Sequence, residues 1–122
     1  MQRILVIDDD EQVRELLAEI LAQAGYHITE AVNGEVGLKL FRAQPADLVI
    51  TDLIMPEKEG METILALRKE FPKVRIIAVS GGGRSTTLDY LPIAKSLGAR
   101  RTLAKPFTRQ EILDAVRDTL AE

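Results

Sequence analysis

Chemically active side chains follow four of the short apolar runs in this sequence. They are Asp8, Asp9 and Asp10 after residues 4–7, Asp52 after residues 48–51, Ser80 after residues 75–79, and Lys105 after residues 101–104. Carboxylates held about 4 Å apart repel each other by on the order of 4 kcal/mol per pair at an effective dielectric near 20. A clustered acidic site therefore needs a cation, and Mg²⁺ suits oxygen ligands best when phosphate oxygens also enter.

Such a site would let the Asp52 carboxylate attack a phosphoryl group and form an aspartyl phosphate. Mg²⁺, the Lys105 ammonium and the Ser80 hydroxyl would then stabilise the charge on the equatorial phosphoryl oxygens. Each residue taken alone is more often a helix cap or a loop side chain. Together, however, these residues place acids, a hydroxyl and an amine at the ends of four predicted strands. The stability of the fold alone does not require that combination.

The segments that must position this site alternate between strand and helix patterns. The four runs are continuous rather than alternating, with residues 101–104 the weaker one, and this pattern indicates strands buried on both faces of a sheet. Residues 26–31 fit a further, half-polar strand. Apolar residues at helical spacing predict a helix that ends at Gly25, helices over residues 34–43 and 60–70, and one before Gly98. A capping-box spacing from Thr108 to Glu111 predicts the start of a C-terminal helix.

Strand and helix thus alternate five times along the chain. This order predicts an α/β fold, a doubly wound (βα)5 parallel sheet of the flavodoxin-like type, as a single domain over residues 1–122. In such a sheet, ligands bind at the carboxyl ends of the strands. No output domain is expected within these residues.

Composition excludes several other classes of function. The chain has 122 residues, of which 46% are apolar, as expected of one domain with a core. Without cysteine and with one histidine, it has no disulfide, thiolate nucleophile or multi-histidine metal site. A net charge of -3 and 4% aromatic residues do not fit a nucleic-acid surface. No apolar run approaches the roughly 20 residues of a membrane span, so we expect a cytoplasmic protein without membrane or direct nucleic-acid partners.

Several motifs together resemble the receiver domain of two-component response regulators. They are Asp8-Asp9-Asp10, Asp52-Leu53-Ile54-Met55-Pro56 followed by Gly60, Val79-Ser80-Gly81, Leu97-Gly98-Ala99 and Lys105-Pro106-Phe107. They occur in the family's order over nearly the whole chain, so the combination is specific where each motif alone is weak.

The resemblance implies that Asp52 accepts a phosphoryl group from a sensor histidine kinase or a phosphotransfer protein. It also implies that Ser80 binds a phosphoryl oxygen and that Lys105 pairs with the phosphoryl group. The peptide between Lys105 and Pro106 is commonly cis in this family, as an X-Pro bond allows.

The same resemblance implies a Mg²⁺ cofactor held close to the phosphoryl acceptor. Asp9 would bind the metal directly, and Asp8 would act mainly through water. Asp52 and the backbone carbonyl of Ile54 would complete the set of protein ligands.

Two features depart from the family pattern. Receivers often carry an aromatic switch residue three positions before the lysine, where this chain has Thr102. The segment from Ser80 to Gly98 is about three residues longer than is typical of the family. It opens with three glycines, Gly81, Gly82 and Gly83. We therefore expect the response to phosphorylation after Ser80 rather than at Thr102, and a short helix with Pro92 in its first turn.

The expected function is a stand-alone signalling switch that a separate downstream protein reads. It would catalyse its own phosphorylation and slow dephosphorylation, without turnover of external substrates. One alternative is a Mg²⁺-dependent haloacid-dehalogenase-like phosphatase, suggested by the Asp8-x-Asp10 spacing, although Gln12 stands where a hydroxyl residue is expected. The other is an FMN-binding flavodoxin-like module, which would need a hydroxyl-rich phosphate loop after the first strand instead of three acids.

Overall fold

The sheet contains five parallel strands. The computed structural model describes residues 2–53, 59–80, 95 and 98–122. Its strands are β1 (Arg3–Ile7), β2 (His27–Ala31), β3 (Leu48–Asp52), β4 (Ile76–Ser80) and β5 (Arg101–Ala104). They lie in the order β2-β1-β3-β4-β5, and every neighbouring pair is parallel. The predicted α/β class and the predicted strands are confirmed.

Helices cover both faces of this sheet. Those described are α1 (Glu11–Gln23), α2 (Gly34–Ala43), α3 (Glu59–Glu70) and a C-terminal helix (Arg109–Leu120). The helix predicted before Gly98, together with Pro92, lies outside the described residues except for Lys95. None of the helices in the described ranges has the length and apolarity that a membrane span needs.

Alternate residues of β1, β3 and β4 enter two separate hydrophobic cores, because side chains point to opposite faces along a strand. Leu5, Val49 and Ile76 pack with Ile64 and Leu67 beneath α2 and α3. On the other face, strand residues pack beneath α1 and the C-terminal helix, and they are Ile4, Val6, Leu48, Ile50, Ile77 and Val79. Nearly all residues of β1 and all residues of β3 and β4 are buried, which explains the apolar runs of these three strands. The prediction that residues 101–104 are also buried on both faces is wrong, because β5 is an edge strand whose residues are partly buried or exposed.

Polar caps fix where the helices begin. The Asp10 side chain accepts hydrogen bonds from the first-turn amides of α1, and Asn33 does the same for α2. Thr108 and Glu111 form the predicted capping box of the C-terminal helix. Gly25 follows α1 with a φ of 99°, a conformation that glycine adopts without strain.

Candidate functional site

The strand order places the candidate site where two neighbouring strands lead to opposite sides of the sheet. β1 and β3 are adjacent, and the chain leaves β1 for one edge strand, β2, and leaves β3 toward β4 and β5. The carboxyl ends of β1 and β3 therefore flank the crevice in which doubly wound sheets bind ligands. All the charged candidates at strand ends lie at this carboxyl edge.

The turn after β1 separates the three acidic residues into different roles. Asp8 is 1% exposed, and its Oδ1 accepts a hydrogen bond from the Asp10 amide at 2.8 Å. The Asp10 side chain faces away, since its Oδ1 accepts from the amides of Gln12 at 3.0 Å and Val13 at 3.4 Å. Asp10 is thus the helix cap, and Asp8 and Asp9 are left as the acidic pair of the site.

Asp52 ends β3 as a buried carboxylate, with 4% of the residue exposed. The start of α3 lies against its backbone: a Cβ added at Gly60 would sit 2.7 Å from the Leu53 Cα and still closer to the Asp52 carbonyl oxygen. Only a glycine lets the helix approach the acceptor strand this closely. Gly60 therefore helps to position the backbone that carries Asp52.

Lys105 lies between the two buried carboxylates. Its Nζ is 3.1 Å from Asp8 Oδ2 and 3.5 Å from Asp52 Oδ2. Its backbone amide donates to the Ser80 carbonyl at 2.8 Å, which ties the residue after β5 to the end of β4. The peptide that follows, Lys105–Pro106, is cis, as the family resemblance implies.

Ser80 brings a buried hydroxyl to the same edge. The residue has no exposed surface, and within the described part of the chain its Oγ has no hydrogen-bond partner. Buried polar atoms are nearly always hydrogen-bonded. An oxygen-rich ligand in the crevice would satisfy this hydroxyl, as the phosphoryl role predicted for Ser80 requires.

The carboxylates form a group that suits a hard cation. One oxygen from each of Asp8, Asp9 and Asp52 lies within 4.8 Å of the others, with Asp9 exposed and the other two buried. Three carboxylates against one lysine leave this group with an excess of negative charge, which a divalent cation with oxygen ligands would compensate. The residues present therefore fit Mg²⁺.

The electrostatic cost of this arrangement is visible at Asp8. Burial raises the pKa of its carboxyl, while the hydrogen bond from the Asp10 amide and the charge of Lys105 lower it. The neighbouring charge of Asp9 raises it further, but burial is the largest contribution. Lys105 alone does not offset the desolvation of this acid.

The structure assembles most of the residues predicted from the sequence. Asp8, Asp9, Asp52, Ser80 and Lys105 lie at one edge of the sheet, while Thr102 lies inside β5, opposite Ala78 of β4. The Ile54 carbonyl and the glycines at positions 81, 82 and 83 lie outside the described residues.

The contributions of Arg14 and Glu30 to the site were not predicted from the sequence. Arg14 of α1 donates from Nη1 to the Asp8 carbonyl at 2.9 Å and from Nε to Glu30 Oε1 at 3.2 Å. The sequence offers one signal for Arg14, a charged residue one helical turn after a helix cap. Nothing in the sequence pairs Arg14 with Glu30, which lies on the strand β2.

Comparisons with known proteins agree with this geometry. A family model described as the response regulator receiver domain matches residues 4–117. Among curated proteins, sporulation initiation phosphotransferase F of Bacillus subtilis (strain 168) is 34% identical over 119 residues, covering 98% of this chain and 94% of that protein. The transcriptional regulatory protein CpxR of Escherichia coli (strain K12) is also 34% identical, but the match covers only 50% of its length.

Solved structures give the same result. A response regulator receiver domain protein from Clostridium thermocellum has a TM-score of 0.89 at 30% identity, covering 99% of this chain and 95% of that one. The response regulator TrrA of Thermotoga maritima, solved in complex with Mg²⁺ and BeF, has a TM-score of 0.84 at 36% identity, covering 98% and 99%.

The chain belongs to the response regulator receiver domain family, and it is a phosphorelay signalling switch of two-component systems. These matches do not support the phosphatase or the FMN-binding alternative. The structure adds that the acid at the position of Asp10, on which the phosphatase spacing depended, is occupied in capping α1.

Proposed function

We propose that Asp52 is the phosphoryl acceptor of this switch and that Asp8, Asp9 and Asp52 hold Mg²⁺ beside it, with the Ile54 carbonyl as a further ligand. The observation that carries the proposal is the position of Lys105 Nζ between Asp8 and Asp52, at 3.1 and 3.5 Å. A cation shared by two buried acids, beside a third acid, is the arrangement that an incoming phosphoryl group needs.

The donor is a phosphohistidine of a sensor histidine kinase or phosphotransfer protein. An Asp52 carboxylate oxygen attacks phosphorus in line, the P–N bond to the donor imidazole breaks, and the imidazole leaves with the bond's electron pair and takes up a proton. When bound, Mg²⁺ supplies charge stabilisation for the transferring oxygens. Lys105 then pairs with a phosphoryl oxygen instead of bridging the two acids.

Ser80 connects the phosphoryl group to the surface that a downstream protein reads. Its buried Oγ would donate to a phosphoryl oxygen and gain the partner it lacks among the described residues. Because Thr102 is too small to replace an aromatic switch, we propose that the response occurs in the residues that follow Ser80, including Gly81, Gly82 and Gly83. A separate downstream partner and a cytoplasmic location belong to the same proposal, which membership of the receiver domain family supports.

Intact mass after incubation with acetyl phosphate and Mg²⁺ tests the acceptor. We expect one added phosphoryl group on the wild type and none on Asp52→Asn, since the amide is not a nucleophile toward phosphorus. Asp114→Asn, a change on the exposed face of the C-terminal helix, is the matched control and should be phosphorylated normally. Phosphorylation of the Asp52→Asn variant to wild-type extent would refute the assignment.

Amide exchange with and without beryllofluoride tests the switch. We expect altered exchange in residues 81–91 and little change at Thr102. Most of the response should be lost in Ser80→Ala, because the hydroxyl links the phosphoryl group to the residues that follow it. A large change at Thr102 with a silent 81–91 segment would contradict this route. A full response in Ser80→Ala would assign the coupling to the metal or to Lys105.

A further inference from the structure

The guanidinium of Arg14 holds the turn on which the acidic pair lies. Arg14 is in the first turn of α1, and its side chain is only 15% exposed. Nη1 donates to the Asp8 carbonyl at 2.9 Å, and Nε donates to Glu30 Oε1 at 3.2 Å. One side chain thus joins α1, the turn after β1 and the strand β2.

The Asp8 carbonyl belongs to the peptide group that links Asp8 to Asp9, so its orientation decides where the Asp9 side chain projects. On the other side of Asp8, its amide donates to the Ala31 carbonyl at 3.1 Å. These two backbone contacts hold Asp8 at both of its peptide groups. Asp9 itself is exposed, and among the described residues its carboxylate makes no hydrogen bond or ion pair that would position it. Its placement therefore depends on the backbone that Arg14 holds.

The carboxylate of Glu30 allows the Arg14 guanidinium to lie beside the proposed Mg²⁺ site. Alone, the positive charge of Arg14 would repel a divalent ion bound by the neighbouring acids. The ion pair with Glu30 offsets that charge, and Glu30 lies on β2, in register with Val6 of β1. The guanidinium then contributes a directed hydrogen bond to the turn with little net charge.

We infer that Arg14 is a positioning residue that, together with Glu30, sets the affinity for Mg²⁺ by fixing the Asp8–Asp9 peptide. This inference rests on the proposed Mg²⁺ site. Removing a group that orients a metal ligand commonly lowers metal affinity 10- to 100-fold. Because Arg14 acts here on a backbone carbonyl, we expect the lower end of that range, roughly 10-fold, for Arg14→Ala.

The direction of this effect separates positioning from simple electrostatics. If Arg14 acted only through its charge, its removal would reduce repulsion and tighten Mg²⁺ binding. If it acts by positioning, its removal weakens binding. Arg14→Lys keeps the charge but lacks the planar fork that reaches two acceptors at once, so it should recover little of the lost affinity. Glu30→Gln, which exposes the uncompensated guanidinium, should weaken binding several-fold and more strongly at low salt.

Calorimetric Mg²⁺ titration of the wild type and these variants tests the inference. Arg42→Ala is the matched control. Arg42 and Glu70 also form an arginine–glutamate ion pair, but it is exposed and lies at the opposite end of the sheet. Its Mg²⁺ affinity should equal that of the wild type. A second readout needs no metal: exchange of the Asp10 amide, which donates to Asp8 Oδ1, should be faster in Arg14→Ala and unchanged in Arg42→Ala.

The outcomes separate this inference from the function on which it rests. Mg²⁺ binding by Arg14→Ala that equals or exceeds the wild type would overturn the positioning role, as would full recovery in Arg14→Lys. If Arg14→Ala does not fold, Arg14→Lys carries the test with the same expected direction. A wild-type protein that binds no Mg²⁺ would instead overturn the proposed function and, with it, this inference.

Discussion

Charged side chains are arranged differently at the two ends of the sheet. At the amino end of the strands, arginines and carboxylates meet in exposed pairs. These are Arg42 with Glu70, Arg100 with Glu122 and Arg101 with Glu122. At the carboxyl end, three carboxylates lie close together, and the two buried ones, Asp8 and Asp52, pair with Lys105.

The difference separates what keeps the domain folded from what lets it signal. Exposed ion pairs contribute between about 0 and 1 kcal/mol each, so the amino end gains little from them and can lose them at little cost. The carboxyl end holds like charges together at a cost that a bound divalent cation relieves. The excess of acid is thus retained for binding and not for stability.

Replacing Lys105 should produce the largest contrast between the two ends. Lys105→Met removes the cation that stabilises the phosphoryl oxygens, so we expect phosphorylation by acetyl phosphate to slow on the order of 100-fold. Arg42→Met removes a cation from the amino end and should leave the rate within twofold. Time courses of intact mass measure both. Equal rates for Lys105→Met and the wild type would remove the functional distinction between the two ends.

Adding a methyl group at Gly60 should disturb the acceptor strand directly. Its Cβ would meet the backbone at Asp52 and Leu53, which cannot move without moving the acceptor, so we expect about 2 kcal/mol of destabilisation and slower phosphorylation. Gly37→Ala is the control. There the Cβ meets the Ile7 side chain, with Cγ1 at 2.8 Å, so stability should fall without a matching loss of rate.

Chemical denaturation and phosphorylation rates of both variants decide this prediction. If Gly37→Ala slows phosphorylation as much as Gly60→Ala at equal stability, the close approach of α3 to Asp52 has no special part in positioning the acceptor.

Neutralising one acid at each end should change stability with opposite sign. In metal-free buffer, Asp9→Asn relieves repulsion from two neighbouring carboxylates and should stabilise the fold by about 1 kcal/mol. Glu70→Gln loses an exposed ion pair and should be neutral or slightly destabilising. Mg²⁺ should reverse the advantage of Asp9→Asn, because the wild type gains stability by binding the ion. Destabilised Asp9→Asn protein without metal would contradict the clustering of the acids.

The pH dependence should differ between the ends in the same way. Burial raises the pKa of Asp8, so the stability gained from its protonated form is present below its ordinary pKa and is lost as pH rises through the raised value. Hydrogen bonds from arginines lower the pKa of Glu70 and Glu122. Their stabilisation is present above the ordinary pKa of glutamate and is lost as pH falls through the lowered values.

Thermal melts of metal-free protein across the acidic range measure these small slopes. Asp8→Asn should remove the loss of stability on raising the pH, and Glu70→Gln should reduce the loss on lowering it. If both substitutions changed the pH slope of stability in the same direction, Asp8 would behave as an ordinary surface acid.

Much of the fold could be read from local patterns. The buried apolar strands β1, β3 and β4, the glycine after α1 and the capping box from Thr108 to Glu111 each depend on neighbours in sequence, and these predictions are confirmed. The meeting of Asp8, Asp52 and Lys105 was also predictable, because parallel strands bring their carboxyl ends to one edge.

The remaining features depend on contacts between distant segments. The pairing of Arg14 with Glu30 joins residues on a helix and an edge strand, and strand order must be known before it can be foreseen. The cap formed by Asp10 was hidden in a run of three identical residues, where only the turn geometry shows which acid faces the helix. The role of Gly60 follows from a backbone approach that no periodicity encodes.

Identifying the phosphorylated residue by its own chemistry tests the central claim most directly. Borohydride reduces an aspartyl phosphate to homoserine, so protein phosphorylated with acetyl phosphate and Mg²⁺, then reduced and digested, should carry homoserine at position 52. Tandem mass spectrometry of the peptides reports the position. We predict homoserine at residue 52 and unaltered aspartates at residues 8 and 9. Homoserine at either of those positions, or at none, would contradict the assignment of Asp52 as the acceptor.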